Sequence, residues 1–80
     1  MTVTVSPDGV ILLQGACLLE DAEVLLRRLS DDPDADVDWS GCGPIHTAVI
    51  QVLMAAGPRI VGSPTDFFVR EHLAPIVRLR

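Results

Sequence analysis

Val37-Asp38-Trp39-Ser40-Gly41-Cys42-Gly43-Pro44-Ile45-His46-Thr47-Ala48-Val49-Ile50-Gln51-Val52-Leu53 holds a change of period, from strand to helix, in the middle of the chain. A β-rich run, Ala35 to Ser40, meets a Gly/Pro cluster, Gly41 to Pro44, that reads as a corner, and an apolar run of helical length follows from about Ile45 to Ala56. Strand, corner and helix in that order put His46 and Thr47 at a helix N-terminus. First-turn N–H groups have no partner inside a helix, and the helix dipole leaves partial positive charge there, so an anion such as phosphate is favoured. The helix is apolar enough to require protein on nearly all sides.

Upstream, Thr2 to Val5 and Val10 to Gln14 are β-rich runs joined by Ser6-Pro7-Asp8-Gly9, a turn sequence, and together they predict an opening hairpin. The second run is apolar on both faces, as a central strand would be. From Leu19 the apolar residues recur at three- and four-residue intervals, with acids in the first turn and Arg27 and Arg28 in the last, which predicts an amphipathic helix over 19–30. Downstream, Gly57-Pro58 stops the second helix and Arg59 to Gly62 reads as a fourth short strand. Ser63-Pro64-Thr65-Asp66 has the composition of a helix start, with Ser63 as cap and Asp66 closing a capping box, so a last helix is expected over 64–73. Residues 76–79 read either as a kinked last turn or as an extra strand. The order ββαβαβα predicts one small α/β domain over 1–80, with a mixed sheet of about four strands and helices packed on it. Leu25, Trp39, Ile50 and Leu53 are its expected core.

Eighty residues make one small domain with a thin stability margin. The mean hydropathy of +0.40 is high for so little interior, which points to apolar surface held for a partner. A net charge of −5 and the absence of lysine argue against nucleic acid as that partner. Nine of the eleven acids lie at or before Asp38, whereas Arg59, Arg70, Arg78 and Arg80 lie in the last third. Met1-Thr2-Val3-Thr4 lacks the basic start and apolar core of a secretory signal, and Ala48 to Ala56 falls far short of the roughly 20 residues a membrane span needs. A cytoplasmic protein without direct membrane insertion is expected, with Cys17 and Cys42 reduced and structural.

The acidic run Asp31, Asp32, Asp34, Asp36, Asp38 has the alternation that opens a calcium loop, but neither the glycine nor the distal glutamate of such a loop follows at its spacing. Cys42 and His46, four apart, could share a metal with Cys17 or His72, or act as nucleophile and base. Eighty residues leave little room for the cleft and oxyanion site that a cysteine enzyme needs, and neither a metal nor a cofactor is expected. Thr47 reads most simply as a cap whose hydroxyl accepts from a backbone N–H.

Val37, Asp38, Trp39, Ser40 and Gly41, followed by Ile45 to Leu53, resemble the signature of the STAS domain, found in bacterial anti-sigma-factor antagonists and at the cytoplasmic end of sulfate transporters. In that family a Val-Asp-Leu-Ser strand leads to Asp-Ser/Thr-Ser/Ala-Gly-Leu-x-x-Leu at a helix N-terminus, and a partner kinase phosphorylates the Ser or Thr. Val37, Asp38 and Ser40 match, Trp39 replaces Leu, Thr47 falls on the phospho-acceptor, and Ala48, Ile50 and Leu53 fit. Ile60-Val61-Gly62-Ser63-Pro64 is similar to the family's fourth strand and turn. His46 stands in place of the acid and Val49 in place of the glycine, so the fold carries over better than the phosphorylation does. The final helix of a full-length member is missing from the pattern.

The resemblance implies a non-enzymatic protein-interaction domain, signalling through a surface made by Ser40, Gly43, His46 and Thr47, with Thr47 as switch. Its implied partner is an anti-sigma factor or serine/threonine-kinase-like protein. The alternative is a fixed subunit of a transport ATPase or signalling assembly, with Thr47 merely packed. A homodimer is a further option, and a small Cys/His enzyme or redox protein is the reading from another class.

Overall fold

The computed structural model describes residues 2–78, with side chains up to Val77. Four strands and three helices follow one another as β1 (Val3–Val5), β2 (Ile11–Cys17), α1 (Leu19–Asp31), β3 (Val37–Ile45), α2 (Thr47–Ala56) and β4 (Ile60–Val61), then a π-helical segment Val69–Leu73 that runs into α3 (Ala74–Arg78). The sheet order is β1-β2-β3-β4. β1 is antiparallel to β2, and β2, β3 and β4 are parallel, so β2 is central as its two apolar faces require.

Both crossovers, β2–α1–β3 and β3–α2–β4, step the same way across the sheet. Right-handed connections therefore lay α1 and α2 side by side on one face, where they pack together. Beneath them the strand residues of one parity are buried: Val3, Ile11, Leu13, Val37 and Trp39, joined by Leu25, Val49, Ile50 and Leu53 from the helices. The register places Thr4, Leu12, Asp38 and Val61 in a row on the opposite face, each half-buried. All four expected core residues are buried, Leu25 and Trp39 completely.

α1 begins where its acids predict: the Leu18 N–H donates to the Asp21 carboxylate at 2.7 Å, satisfying one of the orphan donors of the helix start. α2 stops at Gly57, whose N–H donates to the Leu53 carbonyl at 3.0 Å. The two charge-biased parts of the chain meet rather than separate, because Arg59 grips Asp36 with two hydrogen bonds of 3.1 and 2.6 Å just ahead of β4 and β3. No helix among the described residues is long and apolar enough to cross a membrane.

The expected corner at Gly41-Cys42-Gly43-Pro44 is strand. β3 continues through it to Ile45, paired with β2 at Gln14↔Gly41, Gly15↔Cys42 and Cys17↔Ile45. Two register irregularities in this ladder, together with Gly15 at φ 78°, let the glycine-rich run pair instead of turning. Pro44 is tolerated because β4 pairs only at Val37 and Asp38, so the outer side of β3 has no described strand to bond at this end. α2 consequently starts at Thr47 rather than Ile45.

The last helix is also displaced. Ser63 and Pro64 lie in irregular structure, and helical structure begins at residue 67. Asp66, not Ser63, holds its start: the Asp66 carboxylate accepts from the Val69 N–H at 3.0 Å and the Asp66 carbonyl from the Arg70 N–H at 2.9 Å. Residues 76–78 continue as helix: the π-helical turn ahead of Pro75, closed by the Ala74 N–H on the Val69 carbonyl, carries the chain into α3 without a break. Leu79 lies outside the described residues.

Candidate functional site

β3 and α2 meet at His46, which has extended backbone and serves as the N-cap of α2. Its own N–H donates to the Cys17 carbonyl at 2.8 Å, tying the junction to the end of β2. Its imidazole Nδ1 accepts from the Ala48 N–H at 2.9 Å. The Val49 N–H turns back to the His46 carbonyl at 2.9 Å. One histidine therefore occupies most of the first-turn donors that the sequence left open for an anion.

The cap that Thr47 was expected to provide comes from the residue before it. Thr47 occupies the first helical position, is exposed, and has no described group accepting from its N–H or bonded to its hydroxyl. The hydroxyl is thus presented to solvent at the positive end of a ten-residue helix. Thr65 approaches the same end of the sheet, donating its hydroxyl to the Cys42 carbonyl at 3.4 Å.

Straightening the expected corner separates the four residues assigned to the surface. His46 and Thr47 are adjacent and exposed. Gly43 is half-buried in β3, three residues back. Ser40 is exposed, but six residues of strand at roughly 3.3 Å each carry it on the order of 15–20 Å from His46. There its N–H donates to the Asp38 carboxylate at 2.9 Å. That hydrogen bond holds the Asp38 carboxyl below the usual carboxylate range, against a smaller upward push from burial.

Cys42 and His46 do not form a nucleophile–base pair, since the imidazole is engaged with the Ala48 amide and the Cys42 sulfur is buried 3.5 Å from that of Cys17. Among the described residues no group of three or more His, Cys, Asp or Glu side chains is placed to hold a metal. Two surface hollows of about 200 and 170 Å³ lie at the other end of the sheet, one beside Leu26, Leu29 and Pro33, the other beside Val5, Ile11 and Arg28. Neither is lined by His46 or Thr47.

No protein-family model matches the chain, and no curated protein or solved structure is significantly similar to it.

Proposed function

We propose that this domain is a non-enzymatic regulatory module of the STAS kind, binding a protein partner over the surface at the start of α2, with Thr47 as the acceptor of a regulatory phosphate. The observation that carries the reading is the unengaged, exposed Thr47 hydroxyl, left free because His46 supplies the cap. A phosphate on that oxygen meets the helix dipole and the adjacent Thr47 N–H, so the fold tolerates it. The same group adds about two negative charges to the contact surface and disrupts a partner that docks there. The partner is a protein of the anti-sigma-factor or kinase type, and the setting is the cytoplasm. Ser40 is too far along β3 to share one small contact with Thr47, so the binding surface centres on His46 and Thr47.

Thr47→Ala and Thr47→Glu test the reading. Both variants are expected to fold, with binding to the partner retained from native lysate by Thr47→Ala and lost by Thr47→Glu. Equal binding by both would favour a fixed subunit in which Thr47 does not switch.

A further inference from the structure

The C-terminal halves of β2 and β3 run on past both outer strands. β1 pairs with Ile11 to Leu13, the Gln14 N–H still bonds the Thr2 carbonyl at 2.9 Å, and β4 pairs with Val37 and Asp38, which leaves 15–17 and 41–45 as a two-stranded extension. Within it Cys17 and Cys42 are free thiols on neighbouring strands, 1% and 0% exposed, with their sulfurs 3.5 Å apart. The backbone of each anchors a neighbouring segment: the Cys17 carbonyl accepts from the His46 N–H and the Cys42 carbonyl from the Thr65 hydroxyl.

We infer that Cys17 and Cys42 are a reversible dithiol–disulfide pair, oxidised by a small hydroperoxide, whose closure moves the strand ends that hold His46 and Thr65. A disulfide needs sulfurs about 2.05 Å apart, so from 3.5 Å the two must close by roughly 1.5 Å. Cys17 pairs with Ile45 and Cys42 with Gly15, so the thiols meet diagonally and not straight across the ladder. The closure is shared between rotation of the two side chains and the backbone of the irregular, glycine-containing part of the ladder. A two-stranded extension opens locally at lower cost than the four-stranded part of the sheet, which admits a small neutral oxidant and excludes a bulky one.

Either sulfur can be the donor in the 3.5 Å contact, and each thiol also reaches a backbone carbonyl, Gly15 for Cys17 and Gly43 for Cys42, so the two can attack in either order with the same balance; with Cys42 first the steps are these. The Cys42 thiolate attacks one peroxide oxygen, the O–O bond breaks, and the departing hydroxide takes up the proton Cys42 released, giving a sulfenic acid and water. The Cys17 sulfur then attacks the sulfenic sulfur, the S–O bond breaks, and the leaving hydroxide takes the Cys17 proton. Two thiols and one hydrogen peroxide give one disulfide and two waters. A dithiol reductant reverses the bond by exchange. The chemistry needs nothing from a partner at Thr47.

The test uses the full reduced chain, treated with hydrogen peroxide at neutral pH, alkylated in denaturant and weighed. The expected product is a monomer lighter by two hydrogen atoms, carrying no alkyl group, with the Cys17 and Cys42 peptides linked and both thiols restored by dithiothreitol. The amide resonance of His46 is expected to shift on oxidation and return on reduction. Wild-type protein that keeps two alkylatable thiols, gains only oxygen, or links only between chains overturns the pair; a disulfide that leaves the His46 resonance unmoved overturns the coupling.

Discussion

The Trp39 indole N–H donates to the Gly62 carbonyl at 3.1 Å, so the largest side chain of the core also fixes the turn that follows β4. Gly62 holds φ 82°, and a Cβ there would lie 2.8 Å from the Asp38 carboxylate and 3.0 Å from Ser40 Cβ. Gly62→Ala therefore combines a left-handed backbone with a collision, and is expected to cost more than the roughly 1–2 kcal/mol of the backbone conformation alone. Gly15→Ala shares the positive φ but meets open space, and should cost only that conformational part. Urea unfolding of the two variants checks the order.

Leu53 is 1% exposed and reaches the sheet from the middle of α2. Leu53→Ala should destabilise the domain by about 2–5 kcal/mol through lost transfer energy and a residual cavity. In a fold this small that approaches the whole stability, so the variant is expected to be largely unfolded at 37 °C by circular dichroism.

His46→Ala removes the acceptor for the Ala48 N–H and should cost about 1 kcal/mol, while His46→Asn, whose side-chain oxygen reaches the same donor, should restore most of it. A thermal melt series over the three proteins measures the cap.

Asp38 titrates below an ordinary carboxylate in the folded chain because the Ser40 N–H binds its charged form. A folded value below the unfolded one means that its stabilisation is complete above an ordinary aspartate pKa of about 4 and is lost as pH falls through the folded value. Asp38→Asn should therefore show a flatter loss of stability on acidification below about pH 4 than the parent chain, measured by denaturant midpoints across that range.

Much of the fold was legible because its elements follow ordinary periodicities. The three- and four-residue recurrence from Leu19 and the apolar run before Gly57 mark α1 and α2, and the Pro7-Asp8-Gly9 turn marks the hairpin. Gly41 to Pro44 reads as a corner but pairs as strand, because a Gly/Pro cluster makes a turn only when no partner strand pairs with it. Here β2 does, through its own glycine and two shifts of register. The start of the last helix slipped from Ser63 to Asp66 because both can cap, and only packing chooses between them. At the site, Thr47 looked like the cap because histidine is not among the preferred capping residues, yet an imidazole nitrogen can accept from the same amide. The contact between Cys17 and Cys42 spans 25 residues of chain and depends on the β2–β3 register, which no local pattern encodes.

Phosphosite mapping of the protein isolated from its native host, across growth phases and stresses, decides whether Thr47 is a switch. Phosphate is expected on Thr47 under at least one condition, with Thr65, whose hydroxyl is engaged by the Cys42 carbonyl, unmodified throughout. Thr47 found unmodified in every condition, or phosphate confined to other hydroxyls, would contradict that role.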